Sequence, residues 1–182
     1  MGANASRSTA LNDAAVNAKV GADSTLKISD TATVRTDNTH SQLAYVSGVS
    51  AGFVAIGANT ASASSNTDSH AALGDHVKVE GGTLNVLADG QATNHAYGVA
   101  GAGGLVSVPF SASYTTTVSR TSATTGSKAA SQPGDPATIT VDGLKLAATQ
   151  SSSFDAWMTN TNASLVGVSG ARTENFARTT TT

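Results

Sequence analysis

No cysteine occurs in the 182 residues, so a disulfide framework and any thiolate-ligated zinc site are excluded. Aromatic residues make up 4% of the chain and proline three positions. The chain is long enough to enclose a sizeable core, but these numbers argue against one built of large side chains. Charged residues are also scarce, at 12%, with ten basic against twelve acidic and no run of either sign. Nucleic-acid and anionic-membrane partners need clustered Lys and Arg, so neither is expected. No apolar run approaches the roughly 20 residues of a membrane span, and no membrane insertion of this segment is expected. Met1 leads directly into Gly-Ala-Asn, without the charged and apolar regions of a signal peptide. The chain therefore reads as a fragment whose secretion and anchoring signals lie elsewhere.

What fills the sequence is Ala, Gly, Ser, Thr, Asn and Val. Disordered chains combine low hydrophobicity with high net charge, whereas this one is 39% apolar with a net charge of -2. The small residues also recur in order. Val34, Tyr45, Phe53, Val54 and Ile56 are matched 52 residues later by Val86, Tyr97, Leu105, Val106 and Val108. A further 60 residues on stand Leu146, Trp157, Leu165, Val166 and Val168. The blocks 34–56, 86–108 and 146–168 carry no insertion, and the "MGANAS" at Met1 echoes "IGANTAS" at Ile56. The whole chain, 1–182, is thus one repeat array: a partial copy over 1–28, then copies at about 29–79, 80–141 and 142–182, the last incomplete. The longer second copy is explained by "TSATTGSKAASQPGDP", Thr121 to Pro136, which reads as an exposed Gly/Pro loop inserted between constant blocks.

Periodicity selects strand over helix. Val77, Val79, Leu84, Val86 and Ala88 alternate on either side of "EGG", and Ile139, Val141, Leu144, Leu146 and Ala148 do so around "VDG", a pattern of short strands joined at tight corners. Only Ser8 to Val20 also carries helical spacing, and its place in the repeat favours strand. Copies too small to fold alone cover one another by stacking. The expected fold is therefore all-β: a parallel β-solenoid (β-helix), right-handed as β crossovers overwhelmingly are, with repeats of about 52–60 residues. In a narrow interior filled by small residues, Tyr45, Tyr97 and Trp157 are expected to stack as an internal ladder; the alternative is an exposed stripe that binds sugars. Phe53, Leu105 and Leu165 are expected to form one interior column, with Val54, Val106 and Val166 the adjoining one.

Chemistry is hard to find. His40, His70, His76 and His95 occupy different repeat positions, with no HExxH arrangement. Asp13, Asp23, Asp37, Asp75, Asp89 and Asp142 stand mostly beside Gly, Asn or Thr, where a short acceptor caps a turn. Asp37 and Asp89 share a repeat position, but the third copy has Thr149 there. The Gly101–Gly104 run lacks the Lys-Ser/Thr of a phosphate loop, and "EGGTLN" does not supply a calcium-binding nonapeptide. No catalytic, cofactor-binding or metal-ligating residue is nominated, no cofactor is expected, and the chain is not expected to be an enzyme.

Val54 to Ala58, followed by Gly74, Asp75, Val77, Val79, Gly82, Leu84, Val86 and Ala88, resembles the repeats of giant bacterial secreted proteins of the filamentous haemagglutinin and leukotoxin-like adhesin type. Those run from "VAVGA" through a polar stretch to "GDxVxVxxGxLxVxA". The resemblance is one of style over nearly the whole chain, and the second copy departs from it at "VSVPF", Val106 to Phe110. It implies a parallel β-helical passenger stalk exported by a two-partner or autotransporter system. Such a stalk would lie at the bacterial cell surface or outside it and act in adhesion and biofilm, with a receptor or glycan on a host or neighbouring cell as partner. A cysteine-free chain suits transit through an oxidising periplasm. A second resemblance, of "FVAIGANTASAS" and "AALGD", is to the heads of trimeric autotransporter adhesins, although the motif does not recur at their interval. Carbohydrate-active β-helix enzymes are the competing class. Adjoining repeats of the parent chain are expected neighbours, and strand edges left open in mid-repeat lead to an expectation of end-to-end self-association.

Overall fold

The computed structural model describes residues 1–126 and 137–182. Seven strands account for about 90% of it, with no helix among the described residues. They are β1 (Gly2–Val20), β2 (Thr25–Ala51), β3 (Val54–Leu73), β4 (Lys78–Thr125), β5 (Thr138–Thr140), β6 (Gly143–Gly167) and β7 (Gly170–Thr181). Every pairing is parallel, as in a parallel β-solenoid. The ambiguous segment from Ser8 to Val20 is strand.

One repeat makes one turn of the winding. Tyr45 pairs with Tyr97 and Tyr97 with Trp157, while Val54 pairs with Val106 and Val106 with Val166. Each turn is a flattened loop of two long arms. β2, the first half of β4, and β5 with β6 stack as first arms; β1, β3, the second half of β4, and β7 stack as second arms. The arms fold back on each other, because side chains bridge residues equally far from one point. The Asn160 amide reaches the Gly170 carbonyl, five residues either side of Leu165. The Asn94 amide reaches the Thr116 carbonyl, eleven residues either side of Leu105. The fold-back apex therefore falls at Phe53, Leu105 and Leu165. Gly104 is required beside it, since a Cβ there would run into the Gly52 carbonyl oxygen.

This apex overturns the expectation of an interior Phe53, Leu105 and Leu165 column: the three are exposed by 71%, 39% and 82%. A chain reversing direction between two closely packed arms has no room for a large side chain on its inside, so these point out. The adjoining Val54 and Val106 are half-buried, and Val166 is exposed. Short strands with corners at "EGG" are likewise not what forms. β4 runs unbroken through Gly81, whose φ of 89° marks an irregularity in the pairing between Ile28 and Thr31. A side chain at Gly81 would strike the Ile28 carbonyl oxygen, so Gly-Gly here makes a bulge and not a turn. At "VDG" the ladder is interrupted, between β5 and β6.

The interior is wedge-shaped. At the corner end, Leu73, Val77, Val79, Leu84 and Val86 are buried together, with Leu26, Ile28, Val34, Ile139 and Val141 packed on them. Toward the apex the inward rows become Ala44, Ala61, Ala63 and Ala96, then Ser107, Ser111 and Ser113. The corners themselves are tight: Asp23 and His76 take left-handed φ values of 59° and 56°, a region that Asp, Asn and His tolerate better than most residues. The Asp23 N–H donates to the Asp75 carbonyl at 2.9 Å, and His76 Nδ1 lies 3.3 Å from Asp23 Oδ1. The expected loop at Thr121 to Pro136 begins later than the sequence suggests. Residues 121–125 continue β4, because its ladder to β3 extends to Leu73–Thr125; residues 127–136 lie outside the described residues.

Candidate functional site

Because the interior toward the apex admits only small side chains, the large aromatic residues are outside. Tyr45 and Trp157 are 56% and 52% exposed, and Tyr97 between them is half-buried. The expected internal ladder is thus corrected to an external one. The column itself forms, with adjacent strands bringing the Tyr97 and Trp157 rings to 6.4 Å between centroids in an edge-on arrangement, within the range for a favourable aromatic pair. Beside it runs the column of Leu43, His95 and Asp155. The His95 ring stacks on Tyr97 at 5.7 Å. The Tyr97 hydroxyl donates to Asp155 Oδ2 at 3.3 Å, and His95 Nδ1 lies 3.0 Å from the phenol oxygen. The phenol has one proton, so while it is donated to Asp155 the phenol oxygen can accept only from a His95 ring that carries its proton on Nδ1. Partial burial first, and then the Asp155 carboxylate, raise the Tyr97 pKa above its ordinary value. The result is a hydrogen-bonded strip on a broad sheet face: apolar ring surface flanked by Asp155, His95, Ser47 and Thr159.

The outer face of the second arms is polar. A groove of about 590 Å³ is lined there by Lys19, His70, Arg120, Ser122 and Thr180. It adjoins one of about 490 Å³ that shares Arg120 and Thr180 and adds Asp13, Asp68 and Arg178. His70 Nδ1 and Ser122 Oγ are 2.6 Å apart, and the Asn66 amide donates to Asp13 at 3.1 Å. Both signs of charge line the groove, and the His70–Ser122 contact sets a hydroxyl beside an imidazole there.

Of the carboxylates, Asp37 and Asp89 are brought onto paired positions of adjacent strands. The Arg35 guanidinium lies between them, 3.3 Å from Asp37 and 3.1 Å from Asp89, and thereby offsets the repulsion of a like-charge cross-strand pair. The four histidines fall in four places: His40 inward on β2, His70 in the groove, His76 at a corner and His95 beside Tyr97. Among the described residues no three His, Cys, Asp or Glu side chains gather as metal ligands. Gly101 to Gly104 are strand residues leading into the apex. The outward direction of the aromatic column is the one that the sequence left as the alternative to an internal ladder. The signal lay in the flanks: at Tyr97 the neighbours one step away, Ala96 and Gly98, are the small residues that a thin interior accepts. No family model, curated protein or solved structure matches the chain.

Proposed function

We propose that this chain is a stalk segment of a large bacterial surface or secreted protein, and that its aromatic column is a contact surface for a glycan chain on a host or neighbouring cell. The observation that supports this reading is the in-register column of Tyr45, Tyr97 and Trp157, on a sheet face that every added turn would lengthen. Sugar rings present apolar C–H faces and polar edges; aromatic rings flanked by Asp155, His95, Ser47 and Thr159 offer a matching surface. The stacked turns supply a rigid support, because β2, β3, β4 and β6 are held by their neighbours along 20 or more residues. The same repetition multiplies weak contacts along one rod, so avidity replaces affinity at a single pocket. Attachment of cells or immobilised polysaccharides to the purified chain should fall when Tyr45, Tyr97 and Trp157 are all replaced by Ala, with far-UV circular dichroism unchanged. Unchanged attachment of that folded triple variant would remove the aromatic column from the reading.

A carbohydrate-active enzyme is the second reading, and the adjacency of Asp37 and Asp89 is the observation that favours it. Asp37 is exposed and Asp89 half-buried, and both are held by Arg35, which suits a structural ion pair better than a pair of carboxylates working as acid and base. Release of reducing ends from polysaccharide by the wild type, lost in Asp37→Asn, would establish the enzyme instead.

A further inference from the structure

β2 ends the hydrogen-bonded order of the sheet, with no strand on its side away from β4 among the described residues. Its inward row is unlike that of the strand above it. Thr36, Asn38 and Gln42 stand over Ala88, Gly90 and Asn94, while His40 and Ser50 stand over Ala92 and Ala102. Thr36 Oγ1, Asn38 Nδ2, both His40 ring nitrogens, Gln42 Oε1 and Ser50 Oγ are shielded from solvent and have no hydrogen-bond partner among the described residues. Thr36, Asn38, Gln42 and Ser50 are each at least nine-tenths buried. Unpaired groups of this kind each cost roughly 1–3 kcal/mol relative to a satisfied state. The strand above offers them little but Gly and Ala, so the remaining source of partners is the vacant position on the other side of β2.

The opposite end of the stack carries the complementary row. β6 is the outermost first arm, and in the columns of Asn38, His40 and Ser50 it places Gln150, Ser152 and Asn162. Ser152 Oγ is itself shielded and unpartnered. β6 also presents Leu144 and Leu146, 51% and 41% exposed, in columns where Leu84 and Val86 of β4 are fully buried.

We propose that β6 of one copy of this chain stacks in parallel register against the free edge of β2 of a second copy, setting Gln150 beside Asn38 and Ser152 beside His40. The contact is head-to-tail and does not close, so it generates a filament with the same strand order as the fold itself. It meets one obstacle. In that layer the second-arm position is already taken by β1 of the second copy, and β7 of the first copy falls in the same place. β7 is the shorter strand, of 12 residues, and is exposed along nearly its whole length, so β7 is the strand displaced, and it restrains assembly while it stays docked. The inference concerns the chain of 182 residues by itself, where the edge of β2 is open, and does not depend on whether the aromatic column binds a glycan.

The absence of cysteine makes the register directly testable. Ser41 and Ser153 are exposed and share a column, separated within one chain by β4. They are therefore two strand spacings apart, about 9.6 Å, beyond disulfide reach. In the proposed contact they approach to about one spacing, roughly 4.8 Å, which a disulfide spans. Under mild oxidation the full-length Ser41→Cys/Ser153→Cys variant should give a ladder of covalent oligomers. Ser41→Cys/Ser151→Cys, two residues out of register, should give about tenfold less. Adding Glu174→Pro and Arg178→Pro, whose N–H groups share the phase of Thr182, the donor to the Thr121 carbonyl, removes ladder bonds of β7 to β4 and should accelerate cross-linking of the in-register pair. Equal cross-linking in both registers, no oligomers at any concentration, or slower assembly when β7 is loosened would each overturn the proposal.

Discussion

The Asn94 side chain donates to the Thr116 carbonyl at 3.0 Å although both residues belong to one unbroken strand. A strand can meet itself only by doubling back, and Asn94 is the residue that ties the two arms of β4 together. Its amide also reaches Ser65 Oγ at 2.8 Å and Thr117 Oγ1 at 2.6 Å, so its two protons serve three acceptors in a fully buried site. Asn94→Ala should cost about 3 kcal/mol, the scale of stranding buried acceptors, read as a lower urea midpoint. A loss within about 0.5 kcal/mol, the range of an indifferent surface change, would mean that the arms are held by apolar contact alone.

Two leucines separate the thick end of the wedge from its apex. Leu84 is fully buried among Leu73, Val77, Val79 and Val86, whereas Leu105 caps the fold-back and is 39% exposed. Leu84→Asp places a carboxylate in that cluster and should unfold the chain or cost upwards of about 4 kcal/mol. Leu105→Asp should cost about 1 kcal/mol or less. The order of the two urea midpoints checks the placement of the apex.

Acid should loosen the second layer through His40. Burial holds its pKa below the ordinary imidazole value, and Ala92 and Ser152, which share its column, offer no carboxylate. The fold therefore favours neutral imidazole while the unfolded chain titrates normally. Stability from this group is complete above pH 6.5, declines as the pH falls below it, and levels off under the depressed folded value. Between about pH 8 and 5 the melting temperature of the wild type should drop more than that of His40→Gln. Parallel curves would show that His40 takes its proton without penalty.

Removing one whole turn should leave a folded chain. Excision of residues 54–105 joins Phe53 to Val106, which occupy successive apex positions, and lets β1 stack on the second arm of β4 and β2 on β6. Stability in such stacks is close to a sum over neighbouring units. Circular dichroism per residue should be retained with a lowered melting temperature, whereas excision of 54–77 alone removes one arm and should abolish cooperative unfolding.

The sequence by itself determined the strand register. Tyr45, Tyr97 and Trp157, spaced by 52 and 60 residues, fall on one column because parallel stacking places like residues on like positions, and periodicity of two with Val, Ile and Thr sufficed to select strand. The echo of "MGANAS" with "IGANTAS" placed residues 1–28 in a partial copy, and β1 does fill the second-arm position beneath β3, but with Gly2 on Ala55 and not on Gly57, two residues from the register that the echo implies. What alternation cannot decide is which of its two phases faces in, since a strand presents one residue set to each side and both sets here contain Val, Leu and Ala. Only the tertiary structure settled that, through the distance between the two arms. Near the corners the wedge is wide enough for Leu73 and Leu84; toward the apex it narrows until Ala44, Ala96 and Ser107 fill it. The aromatic column is pushed outward, and at the reversal Phe53, Leu105 and Leu165 follow. The orphaned row of Asn38, His40 and Gln42 was equally unreadable, because whether a buried polar group is satisfied depends on the strand that lies beside it and not on its own neighbours in sequence.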